Sequence, residues 1–149
     1  FNLVLFILEM RFSYIFLGIA IVLAGYNFPI HLFKPSNITH QPFEKAAQYS
    51  IDKKLIDKDS RFNLVHVAHP NAILGYEYRY FFQKNGFAPT SEFEYANSDI
   101  LLIFTENKNF NPEKFKTWEV EQFGLEYLKN TQKYRVGNTQ IYKVSKTNN

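Results

Sequence analysis

From Phe12 to Phe33 the chain reads FSYIFLGIAIVLAGYNFPIHLF, without a single Asp, Glu, Lys or Arg. At a rise of about 1.5 Å per residue, a helix of that run reaches about 33 Å, enough to cross the hydrocarbon core of a bilayer. The run predicts a transmembrane helix, with Pro29 and the aromatics Tyr26, Phe28 and Phe33 at its interfacial end. Residues Phe1 to Glu9 are apolar as well and carry no initiator methionine. The chain is therefore expected to be the tail of a longer polytopic protein, with a membrane segment over 1–35 and a soluble domain over 38–146.

Two other readings fit the same stretch. Met10-Arg11 could open a signal peptide whose apolar region is Phe12 to Leu23 and whose cleavage site is Val22-x-Ala24, and the product would then be secreted. The run could also be a lone anchor. The apolar residues Phe1 to Leu8 suit neither leader nor linker and favour the last span of a polytopic protein. Arg11 and Lys34 flank the span almost symmetrically, so the flanking charges leave its orientation open.

Beyond the span, just over a hundred residues remain, an ordinary size for one domain with its own core. The net charge of +3 comes from acids and bases interspersed along that part. No run of five like charges occurs, so the pattern is that of a solvated surface and points to no nucleic-acid partner. The absence of cysteine excludes disulfides, thiolate metal sites and cysteine nucleophiles.

Apolar residues Phe43, Ala47, Ile51 and Leu55 recur every four positions and predict an amphipathic helix over Pro42 to Lys58. Phe62 to Ala68 (FNLVHVA) reads as a buried central strand. Asn71 to Asn85 predicts a second helix whose apolar pattern is Tyr76, Tyr80, Phe81 and Phe82, with Gly86 as its stop. A piece near Phe87 to Phe93 is expected as a short edge, and Ile100 to Thr105 (ILLIFT) as another buried strand. Glu126 to Tyr134 and Thr139 to Val144 flank Val136-Gly137-Asn138, a hairpin signal. Helix, strand, helix, strand implies parallel pairing. The predicted fold is α/β: an N-terminal transmembrane helix, then a small three-layer Rossmann-like domain with parallel central strands and a C-terminal antiparallel hairpin.

Ligands of open α/β sheets gather at the carboxyl ends of the strands, which here present His69 and Asn71 after the first strand and Glu106 after the second. The connection His69-Pro70-Asn71-Ala72-Ile73-Leu74-Gly75 has one glycine and no phosphate-cradling motif. His66 and His69 stand three apart, which on a strand points them to opposite faces and disfavours a shared metal. Arg79 is expected to snorkel to solvent or pair with Glu77 or Glu106; alternatively it grips an anionic lipid-phosphate or glycan group. Trp118-Glu119 is expected to anchor a loop to the core, with stacking on a sugar ring as the functional alternative. A hydrolase or transferase using His69, Glu106 and Glu119 would need those three side chains to converge.

Four blocks in order after the span resemble the C-terminal region of bacterial GT-C superfamily membrane glycosyltransferases, the relatives of dolichyl-phosphate-mannose protein mannosyltransferases. They are Phe62-Asn63-Leu64-Val65, Tyr76-Glu77-Tyr78-Arg79-Tyr80-Phe81-Phe82, Asp99-Ile100-Leu101-Leu102-Ile103-Phe104-Thr105-Glu106, and Trp118-Glu119-Val120-Glu121-Gln122-Phe123-Gly124. The resemblance implies a multi-pass enzyme of the cytoplasmic membrane that moves a mannose-like sugar from a polyprenyl-phosphate carrier to an acceptor. It places the catalytic acids in an early loop that has no counterpart in this sequence. On that basis the chain is expected to hold no catalytic residue and no metal or cofactor of its own. Its partners would be membrane lipid and an N-terminal membrane module, and its soluble domain would be extracytoplasmic and accessory. The rival reading is a singly anchored α/β binding or adaptor domain.

Overall fold

The computed structural model describes residues 40–67 and 75–146. The expected membrane segment over 1–35, with its Phe12 to Phe33 span, lies outside the described residues, as do His69 and Asn71. Among the described residues no helix is long and apolar enough to cross a membrane, so the predicted N-terminal transmembrane helix is not among the helices of this fold.

Helix α1 spans Gln41–Asp52 and starts with Pro42 in its first turn, where the missing N–H is no loss. It buries Ala46, Ala47 and Ser50, and the Ser50 hydroxyl donates to the carbonyl of Ala46 at 2.8 Å. The helix is shorter than Pro42 to Lys58 because a four-residue recurrence drifts off a 3.6-residue face within a few turns. It is closed by a Schellman motif: Leu55 N–H donates to Ser50 O and Lys54 N–H to Ile51 O, both at 2.9 Å. Leu55 and Ile56 then enter the core as parts of the exit turn.

Strand β1 is Phe62–Val67 and is followed by helix α2, Tyr76–Lys84. Gly75 precedes α2 with φ +58; a Cβ there would lie 2.7 Å from Leu64 Cδ1 and 3.2 Å from His66 Cβ, so the chain returns against β1 at a point where only glycine fits. At its other end Gly86, with φ +80, closes α2 through the bonds Phe87 N–H to Phe82 O and Gly86 N–H to Gln83 O. The buried side chains of α2 are Tyr78, Arg79, Phe81 and Phe82, whereas Tyr76 and Tyr80 are 56% and 60% exposed. The expected apolar face was thus rotated: positions 78, 81 and 82 form the i, i+3, i+4 stripe that a short helix can bury.

A 3₁₀ turn at Tyr95–Asn97 leads into strand β2, Ile100–Thr105. A second 3₁₀ turn (Pro112–Lys114), helix α3 (Trp118–Phe123) and a third 3₁₀ turn (Leu125–Asn130) precede the hairpin of β3, Thr131–Val136, and β4, Thr139–Ser145. Gly137 supplies the positive φ of the two-residue turn. The hairpin's first strand begins at Thr131 rather than Glu126 because the preceding residues wind into the 3₁₀ turn.

The strand order is β1-β2-β4-β3, and this overturns the Rossmann-like arrangement with parallel central strands. Only β1 and β2 are parallel; β2 with β4 and β4 with β3 are antiparallel, and the antiparallel pair β2–β4 holds the centre. The reason is legible in the hairpin's own residues. Strand β4 buries Thr139 to Tyr142 and Val144, whereas β3 exposes Gln132, Lys133 and Arg135. The apolar strand therefore takes the inner position and the charged one the edge, where its charges guard against further pairing. Strand β1 is likewise an edge by hydrogen bonding, although both of its faces are buried.

Alternation in the strands divides the core. Phe62, Leu64, Leu102, Phe104 and Ile141 meet α1 and α2 on one face; Val65, Leu101, Ile103, Tyr142 and Val144 meet Tyr95, Val120, Phe123 and Leu128 on the other. The segment expected as an extra edge strand runs beside β1 without becoming one: Thr90 N–H donates to Phe62 O at 2.8 Å.

Lys54 is the one described non-glycine residue with positive φ, at 53°. Because the left-handed conformation costs an L-residue about 1–2 kcal/mol while glycine loses about 0.5–1 kcal/mol in chain entropy, Lys54→Gly is expected to stabilise by about 0.5–1 kcal/mol. Urea unfolding measures this, and a loss of stability in the variant would show that the Schellman turn is not the helix stop.

Candidate functional site

The carboxyl ends of β1 and β2 bring together two groups that sequence spacing left apart. His66, on β1, faces α1 and α2 and is paired in register with Phe104. Two residues beyond Phe104 on the same side stands Glu106, whose Oε2 lies 3.4 Å from His66 Nε2. His66 is buried and Glu106 is half exposed. The imidazole is held edge-on by Phe43, at 5.6 Å between centroids, and by Tyr78, at 5.0 Å; Tyr78 in turn stacks on Phe104 at 4.0 Å. The signal for this pair was present in the sequence: equal strand lengths in parallel register put the penultimate residue of β1 and the first residue after β2 on one face.

The Tyr78 hydroxyl is buried and has no hydrogen-bond partner of normal geometry. Burial pushes its pKa well above the ordinary phenol value, and the nearby Glu106 carboxylate pushes in the same direction; Thr139 opposes them.

Arg79 is buried, where the sequence led one to expect a side chain directed to solvent. It does not snorkel outward: it is 7% exposed and reaches from α2 round the edge of β1. Its Nη1 donates to Thr90 O at 2.8 Å, and its Nη2 donates to Asn63 Oδ1 and, at 3.5 Å, to the Tyr95 hydroxyl. Asn63 completes the joint with Nδ2 donating to Ser91 O at 2.9 Å and Oδ1 accepting from Leu64 N–H. Tyr95 donates to Leu64 O at 3.1 Å. The outward carbonyls of Phe62 and Leu64 and the outward N–H of Leu64 are thereby all satisfied. Sequence reasoning missed Asn63, Thr90 and Tyr95, because their roles exist only once residues 87–95 are laid along the strand.

Trp118 and Glu119 sit on the opposite face of the sheet from His66 and Glu106. The Trp118 ring meets Tyr95 edge-on at 6.0 Å between centroids and stays 48% exposed. Glu119 is buried, and its Oε2 has no hydrogen-bond partner. Burial raises the pKa of the Tyr95 phenol; Arg79 acts against that rise, while Glu119 and Glu92 add to it. Glu106 and Glu119 therefore do not converge, and the hydrolase or transferase that required His69, Glu106 and Glu119 in one pocket loses its geometry. Among the described residues no group of three His, Asp or Glu side chains could hold a metal ion.

Beside Arg79 lies an open groove of about 330 Å³ whose walls include Tyr76, Tyr80, Gln83, Ser91 and Glu92. The interaction of Tyr76 with the Glu92 carboxylate raises the pKa of the phenol. A second groove of about 350 Å³ lies between the second and third 3₁₀ turns, where Lys116 and Lys129 alternate with Glu113 and Glu126. No family model, curated protein or solved structure matches the chain.

The buried phenol of Tyr78 predicts a specific alkaline behaviour. Its pKa is raised on folding, so the unfolded chain releases the proton first, and native stability is full below about pH 10 and falls as pH rises beyond it. Tyr78→Phe removes both the ionisation and an unbonded buried hydroxyl; it is expected to flatten the fall above pH 10 and to leave neutral-pH stability unchanged or about 1 kcal/mol higher. Urea unfolding across the alkaline range tests this. A variant that loses more than about 1 kcal/mol at pH 7 would show that the hydroxyl is bonded after all.

Proposed function

We propose that residues 40–146 form the accessory, non-catalytic domain of a glycosyltransferase that takes a mannose-like sugar from a polyprenyl-phosphate carrier and passes it to an acceptor. Two things support the reading. One is the order of the four sequence blocks, which the fold puts to structural use: the first is β1, the second α2, the third β2 and the fourth α3. The other, which carries it, is where the reactive side chains are spent. Arg79 closes the edge of β1 through Asn63, Thr90 and Tyr95. The His66–Glu106 pair lies on one face of the sheet, and Trp118 and Glu119 lie on the other. A glycosyl transfer needs its acid and base on either side of one scissile bond, within a few ångströms of a common centre. Groups separated by a packed sheet cannot serve that chemistry together.

In this reading the domain contributes binding surface, and the pair of buried His66 and half-exposed Glu106 joins the ends of β1 and β2. The full chain, given polyprenyl-phosphate-mannose and a range of acceptors, is expected to bind without releasing or transferring sugar. Transfer of labelled mannose by the chain alone, abolished by Glu106→Gln, would overturn the accessory assignment.

A further inference from the structure

The groove beside α2 has features that the fold does not need. Tyr76 and Tyr80 stand one helical turn apart on α2 and expose more than half of their surface, although the helix already buries a complete apolar stripe elsewhere. Tyr80 rests edge-on against Phe81 at 5.1 Å between centroids, and Tyr76 shares the groove wall with Glu92. An aromatic ring fixed in this way loses little conformational freedom when a ligand settles on it. The groove between them measures about 330 Å³, at the lower end of the range for small-ligand sites, and is open to solvent along its length.

The polar groups define the ligand. Glu92 offers carboxylate lone pairs, Gln83 offers an amide that both donates and accepts, and Ser91 offers a hydroxyl. The cation at the floor is Arg79, whose guanidinium already donates to Thr90, Asn63 and Tyr95. Arg79 and Glu92 balance, so the groove presents no net charge to an anion, and Glu92 would repel one. An anionic headgroup would find no lysine among its walls. An uncharged polyhydroxylated ring answers each feature: its C–H face covers a tyrosine, and its hydroxyls donate to Glu92 and exchange hydrogen bonds with Gln83.

We propose that this groove is a binding subsite for a neutral saccharide of one or two rings, stacked on Tyr80 and hydrogen-bonded to Glu92. The proposal deepens the accessory-domain reading by naming the ligand class of its surface.

The test is saturation-transfer NMR and calorimetric titration of the full chain, held in a zwitterionic detergent free of sugar headgroups, with methyl α-mannoside and α-1,6-mannobiose as probes. Millimolar binding is expected, weakened about tenfold by Tyr80→Ala, the loss of one stacking contact, and retained by Tyr80→Phe. Glu92→Gln is expected to weaken binding several-fold while leaving the urea midpoint unchanged. Absence of saccharide binding at tens of millimolar, or binding that Tyr80→Ala leaves intact, overturns the proposal. So does binding to phosphatidylglycerol vesicles that depends on Tyr80 in place of saccharide binding. Each result is independent of the transfer assay: a chain that transfers mannose yet binds saccharide in this groove refutes only the accessory assignment, and a chain that does neither refutes only the subsite.

Discussion

The guanidinium of Arg79 is the joint on which the rest of the domain depends. An edge strand exposes every second N–H and C=O to whatever lies beside it, and an apolar edge strand left open is a template for aggregation. Strand β1 is buried on both faces and lies at the edge of the sheet. The domain solves the conflict by folding residues 87–95 along it and fastening them with one side chain that bonds α2, β1 and the following segment at once. A planar fork of donors suits this task, because it can serve a backbone carbonyl, an amide and a phenol from one plane. Buried without such acceptors, the same charge would cost several kcal/mol.

The groove beside α2 follows from that joint. Arg79 and Asn63, with the Thr90 N–H bonded to Phe62 O, hold the 87–95 segment against β1, and Ser91 and Glu92 thereby line a groove with Tyr76 and Tyr80 of α2. Its charge balance follows as well, since the cation beneath it is already bonded. The proposed accessory role and the proposed neutral ligand therefore rest on one structural feature. On the other side of α2, the stack of Tyr78 on Phe104 and the edge contacts of Phe43 and Tyr78 with His66 hold the strand ends through aromatic packing.

Much of this was legible in the residues, and the failures have physical causes. The runs FNLVHV and ILLIFT announced their strands because apolar residues on both faces suit a strand packed between two layers. Gly86 and Gly137 marked a helix end and a hairpin because those positions carry positive φ. The sheet order was not legible from the helix-strand-helix-strand rhythm, which describes only the β1–β2 pair. It depended on comparing the two hairpin strands, where Ile141, Tyr142 and Val144 outweigh Lys133 and Arg135. The face of α2 was misread because five aromatics in seven residues allow more than one stripe, and burial of Arg79 decided between them. That burial could not be foreseen from Arg79 itself; its acceptors lie at positions 63, 90 and 95, and only the tertiary fold brings them within reach of one guanidinium.

The central claim, that Arg79 closes the edge of β1, is tested most directly by native-state hydrogen exchange at the amides of Leu64 and Thr90. Both amides point into the joint, Leu64 toward Asn63 Oδ1 and Thr90 toward Phe62 O. In the unmodified chain they are expected to exchange only through global unfolding, as the amides of β2 do. In Arg79→Lys, which keeps the charge but not the fork, they are expected to exchange through local opening at least about a hundredfold faster, while β2 amides slow or quicken only with overall stability. Exchange at Leu64 and Thr90 that is fast in the unmodified chain, or that tracks β2 in the variant, would contradict the account.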